Sequence, residues 1–152
     1  MCGDHDFLEQ AICLAAANVA EGGRPFGAVL VREGQVVTEA SNQMHLQQDP
    51  TAHAELLCIR QASELLASNR LDGCVIYASG QPCPMCLSAM HLCGISRVVF
   101  AAANADGEPF GLSTAGVYQQ LGLPLAQQSL CIEHVAHSAM SALYQRWHAL
   151  HA

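Results

Sequence analysis

Lysine is absent from this 152-residue chain, and its only strong cations are Arg24, Arg32, Arg60, Arg70, Arg97 and Arg146. These are scattered, and between Arg97 and Arg146 every formal charge is negative. With 13 acidic residues the formal net charge is −7. Binding along a nucleic-acid backbone draws on clustered Lys and Arg that displace counterions from phosphates. No such cluster exists here, which argues against nucleic acid as a partner. Charge of either sign is scarce, 12% of residues against 51% apolar, and so little charge points to surface hidden in an oligomer. Long hydrophobic runs are missing as well. A run such as 11–17 is far shorter than the roughly 20 residues that span a bilayer, so no membrane association is expected. The opening residues Met1-Cys2-Gly3-Asp4-His5-Asp6 have neither the basic nor the apolar stretch of a secretory signal. Eight cysteines would suggest disulfides in an exported chain. With no other sign of export, they read as reduced thiols in a cytoplasmic protein.

The length suits one domain, 1–152, with room for a real core. Apolar residues at helical spacing (Phe7, Ala11, Leu14, Ala15) predict a helix over 7–20, ended by Gly22-Gly23-Arg24-Pro25. Strands are predicted over 26–31 and 35–40 around a Glu33-Gly34 turn, then over 74–78 and 97–102. Helices are expected over about 51–67, 84–92, 114–121 and 136–149, with a further strand over 129–133. This order predicts an α/β domain of three layers with a mixed sheet.

Two segments carry the chemistry: His53-Ala54-Glu55 and Pro82-Cys83-Pro84-Met85-Cys86. Each is placed at a helix start, with Thr51 as the expected cap of the first and Pro84 in the first turn of the second. Free N–H groups and positive potential at a helix N-terminus favour thiolate over thiol. Cys83 and Cys86, three apart, can aim both sulfurs at one point, and His53 adds an imidazole nitrogen; the set suits tetrahedral zinc. A structural zinc normally takes four protein ligands, a catalytic one three plus water. Cys58, Cys93, His45 and His91 are near enough in sequence to be the fourth, but a closed site would leave Glu55 without a task. Water on a catalytic zinc has a pKa of about 7. Glu55 would take its proton and return it to a departing amine. His-x-Glu followed by Pro-Cys-x-x-Cys is the known signature of zinc nucleobase deaminases.

On these residues, together with Pro25-Phe26-Gly27-Ala28-Val29, Asn42 and Asp49-Pro50-Thr51-Ala52, the chain resembles the cytidine and deoxycytidylate deaminase superfamily. The resemblance is strongest to the bacterial guanine deaminase branch, with weaker echoes in 100–106 and at Glu133-His134. It implies a cytidine-deaminase-like fold with a five-stranded mixed sheet flanked by helices, one zinc per subunit, and a homodimer whose C-terminal segment can be exchanged to close the partner's site. It also matches Asn42 to a purine-contacting asparagine, whose amide offers an acceptor and two donors; the competing reading is a turn residue. Phe26 could stack on a base or serve the core. Backbone N–H groups of Ala54 and Cys83 could orient substrate or water. Asp106 matches a carboxylate that accepts ring N–H bonds, or else makes a turn with Gly107. Glu133 is a weaker candidate of the same kind. One departure stands out: Gln81 occupies the position where many relatives carry glutamate, which keeps the shape and loses the charge.

The sequence therefore predicts zinc-dependent hydrolysis of a small free base, guanine to xanthine and ammonia first. Other aminated heterocycles (cytosine or cytidine, triazines, pterins) share the chemistry. A tRNA adenosine deaminase would need a basic surface that this chain lacks. An inactive zinc-stabilised module would have no use for Glu55.

Overall fold

A computed structural model describes residues 2–152. The first helix, α1 (Asp4–Ala20), starts earlier than its apolar period predicts, because Asp4 and Asp6 put carboxylates in the first turn, where free N–H groups favour them. Strands β1 (Gly27–Arg32) and β2 (Gln35–Ser41) form a hairpin. Its two turn residues, Glu33 and Gly34, have φ of 51° and 76°, as a tight turn that matches strand twist requires. Then come α2 (Met44–Gln47), α3 (Ala54–Leu65), β3 (Cys74–Gly80), α4 (Pro84–Cys93), β4 (Arg97–Ala102), α5 (Asn104–Gly107) and α6 (Ala115–Leu121).

The sheet runs β2-β1-β3-β4. β1 pairs antiparallel with β2 and β3, and β3 pairs parallel with β4, so it is mixed as expected. Side chains alternate across a strand, and both faces of the central strands β1 and β3 are covered. Val29, Val31 and Tyr77 pack with Phe7 and Ala11 of α1 on one side. Ala28, Leu30 and Ile76 pack on the other with Ala54, Cys58 and Ala62 of α3 and with Met90 of α4. The α1 layer lies so close that a Cβ on Gly27 would come within 2.3 Å of the Ala11 carbonyl oxygen. Only glycine allows that approach.

Three expectations need correction. The sheet has four strands among the described residues, not five. Residues 129–133 form no ladder and are exposed; a strand without a hydrogen-bonded neighbour leaves its backbone to water. Thr51 does not cap α3: its N–H and hydroxyl both donate to Asp49, at 2.8 and 2.7 Å, and His53 is the N-cap instead. Among the free cysteines, Cys58 and Cys74 are buried, whereas Cys13 and Cys131 are exposed.

The chain divides into two compact units, one ending at Gln119 and one of Gln120–Ala152. The second contains a 3-10 turn (Leu125–Gln127) and α7 (Ser138–His151), capped by His137 Nδ1 accepting the Ala139 N–H at 3.2 Å. No residue of α7 is buried. No helix is long and apolar enough to cross a membrane among the described residues.

Candidate metal centre and active site

The two chemical segments fold into the same local device. His53 is the N-cap of α3 and Cys83 the N-cap of α4, with backbone ψ of 149° and 164° respectively. An extended N-cap turns its side chain back over the first helical turn. Glu55 and Cys86 then follow inside those turns. Pro84 at the first helical position of α4 costs no hydrogen bond, since that N–H would be unpaired anyway. The Cys83 sulfur accepts the Cys86 N–H at 3.5 Å.

Three donor atoms converge: His53 Nδ1, Cys83 Sγ and Cys86 Sγ all lie within 4.8 Å of one another. Nδ1 is 3.4 Å from the first sulfur and 3.6 Å from the second. A tetrahedral zinc with its usual Zn–N and Zn–S lengths would hold nitrogen and sulfur about 3.5 Å apart. The donor set therefore fits zinc in both chemistry and size. No fourth His, Cys, Asp or Glu joins the group among the described residues. Cys58 donates instead to the Ala28 carbonyl at 3.4 Å and Cys93 to the Met90 carbonyl at 3.7 Å, so two of the fourth-ligand candidates are spent in the core.

Charge in the cluster is coupled. Its hydrogen bond with Cys86, helped by His53, brings the Cys83 thiol down to about 4. Cys86 is pushed up by its bond to Cys83, by burial and by the nearby charge of Glu55. Without a cation, then, one thiolate forms easily and the second does not. The bond to Cys83 also raises His53 against the opposing effect of burial. Glu55 is buried, and desolvation raises its carboxyl to about 7. A carboxyl poised there can both accept and release a proton near neutrality.

The other predicted contacts divide. Asn42 is buried and donates its backbone N–H to the Phe26 carbonyl at 3.0 Å. Its side-chain oxygen accepts the Met44 N–H at 3.1 Å. The Phe26 ring lies against Gly80, where an added Cβ would meet it at 3.1 Å. Phe26 also lines a cavity of about 210 Å³ with Gln81, Asn104, Asp106 and Phe110. Asp106 is exposed there, and one carboxylate oxygen accepts the Ala103 N–H at 2.8 Å. Glu133 is exposed in the second unit, in no element. The N–H groups of Ala54 and Cys83 find no acceptor among the described residues.

Sequence reasoning missed several supports. Asn18 is buried and donates to both the Arg24 and Asn42 carbonyls, at 2.8 and 2.9 Å. Gln81 accepts the Asn104 N–H at 2.9 Å, a bond for which its missing charge is not needed. Tyr118 donates its hydroxyl to the Pro82 carbonyl. Only Gln81 carried a signal, its place beside the Pro-Cys pair.

Residues 1–102 match the family described as the cytidine and deoxycytidylate deaminase zinc-binding region. Guanine deaminase of Bacillus subtilis is 35% identical over 142 residues, 93% of this chain and 91% of that protein. Its crystal structure superposes with a TM-score of 0.92 at 34% identity, covering 97% of this chain and 95% of the other. The tRNA-specific adenosine deaminase of Aquifex aeolicus is 39% identical, but over 67% of this chain and 68% of that protein.

Proposed function

This chain belongs to the cytidine and deoxycytidylate deaminase family of zinc-dependent enzymes, and from that premise we propose that it hydrolyses guanine to xanthine and ammonia. The reach of the likeness carries this reading: similarity to the guanine deaminase runs through nearly the whole chain, whereas similarity to the tRNA enzyme spans about two thirds of it. The surface agrees, since a lysine-free chain of net charge −7 offers no counterion-displacing face to tRNA.

His53, Cys83 and Cys86 would hold one zinc ion per subunit, which when bound supplies a Lewis acid that makes water a nucleophile near neutral pH. Glu55 accepts the proton of the attacking water and passes it to the amine, which leaves as ammonia. Phe26 offers a ring face for stacking. With the Asn42 oxygen already occupied by Met44, its amide N–H groups are the part free to meet an acceptor on the base. The N–H groups of Ala54 and Cys83 are further donors for a substrate oxygen. Asp106 keeps one carboxylate oxygen for a ring N–H of the base.

The assembly proposed is a homodimer with exchanged C-terminal segments. Its supports are the unburied α7 and the outer edge of β4, which has no strand partner among the described residues. On this reading Glu133 acts in the subunit that receives the tail.

An ammonia-release screen over guanine, adenine, cytosine, their nucleosides, triazines, pterins and a tRNA anticodon loop tests the reaction. Guanine should be the preferred substrate. Turnover of the tRNA loop alone would overturn the free-base reading.

A further inference from the structure

The hydroxyl of Tyr118, on α6, donates to the carbonyl of Pro82, just upstream of the first thiol ligand. That carbonyl shares a peptide unit with the Cys83 N–H, which has no acceptor among the described residues. A hydrogen bond on a carbonyl polarises its peptide and strengthens the N–H at the other end. We propose that Tyr118 is a positioning residue for the deamination, acting through the Pro82–Cys83 peptide to aim and strengthen the Cys83 N–H. The role rests on the reaction proposed above.

The surrounding bonds close a ring that holds this arrangement. Gln81 donates its N–H to the Ala102 carbonyl at 2.7 Å, and its side-chain oxygen accepts the Asn104 N–H at 2.9 Å. Asn104 in turn accepts the Thr114 N–H at 3.3 Å, and the Thr114 carbonyl accepts the Tyr118 N–H at 3.2 Å. The Tyr118 hydroxyl then returns to Pro82, the neighbour of Gln81. A side chain present only for packing would not need its oxygen at the end of such a ring. Desolvation raises the Tyr118 hydroxyl above its ordinary value, against the opposing hydrogen bond with Gln81, and so keeps it a proton donor.

Zinc-loaded Tyr118→Phe separates this role from packing, since the ring remains. Its kcat should fall on the order of tenfold, the effect of about one hydrogen bond, with KM changed less than about twofold. Zinc content should stay at one per chain. The amide ¹⁵N signal of Cys83, which follows hydrogen bonding at the preceding carbonyl, should move upfield. Unchanged kcat with an unmoved Cys83 signal overturns the proposal, as does a raised KM at constant kcat, which would mean direct substrate contact. Should Tyr118→Phe fail to fold, 3-fluorotyrosine at position 118 keeps ring and hydroxyl and donates more strongly. The Cys83 signal should then move downfield, and an unmoved signal overturns the role. Wild-type inactivity on guanine would overturn the reaction instead, because the Cys83 signal is read without substrate.

Discussion

The two units of this chain differ in how much of their apolar surface a core covers. Up to Gln119 the central strands β1 and β3 are covered on both faces, and Ala28, Val29, Leu30 and Ile76 are fully buried. In the second unit Met140, Leu143, Tyr144, Trp147 and Leu150 are each more than 40% exposed. All three metal donors and Glu55 belong to the first unit. The candidate chemistry thus sits where a core already exists, while the tail carries the exposed apolar side chains on which the proposed dimer rests. Changes in the first unit should act on each molecule at any concentration. Changes in the tail should act through assembly.

The largest effect is expected from Cys83→Ala with Cys86→Ala. Zinc should be lost by metal analysis and ammonia release should vanish, at every protein concentration. Glu55→Gln should retain zinc and lose activity by about 10²–10⁴-fold. The same substitution should stabilise the zinc-free protein. A carboxyl whose folded pKa is raised to about 7 contributes its stability below the unfolded value of about 4.3 and loses it as pH rises through 7. Glutamine escapes that loss, so thermal unfolding should favour Glu55→Gln by roughly 3 kcal/mol at pH 8 and by little at pH 4. Equal stability at both pH values would refute the buried-acid account.

Leu143→Ser with Trp147→Ser should act differently. Sedimentation should shift toward monomer, and activity should become dependent on concentration, approaching wild type only when concentrated. A variant that sediments and turns over like wild type would erase the contrast between the units. The smallest effect concerns Asp4, which Arg97 and the Tyr77 hydroxyl hold well below the usual carboxylate range. A depressed carboxylate stabilises above its unfolded pKa of about 3.9 and loses that effect as pH falls toward the folded value. Asp4→Asn should lower Tm modestly at pH 7, with the gap closing below about pH 3.

Agreement between sequence and structure follows the locality of each signal rather than the boundary at Gln119. Residues 97–102 read as a strand with the observed bounds, and the ends of β1, β2 and α4 shift by at most one residue, because apolar periodicity and flanking turns act locally. Residues 129–133 look equally strand-like, yet a strand exists only where another supplies its ladder, and composition cannot tell whether one will. The α3 start was misread at Thr51 because the Asp49 carboxylate competes for its N–H and hydroxyl. Tyr118, on the short helix α6, carries no local sign of its bond to Pro82, 36 residues away.

By itself, then, the sequence named His53, Cys83 and Cys86 as candidate metal donors and Glu55 as the candidate acid, since each segment places its pair within one helical turn. It also set the scarcity of positive charge, six arginines and no lysine, because charge content does not depend on folding. Tertiary structure alone decided that the two N-caps meet, that Glu55 is desolvated enough to hold its proton near neutrality, and that the Asn42 oxygen is already engaged. Those properties arise from groups distant in the chain being brought together in a medium that excludes water, and no local pattern encodes that distance.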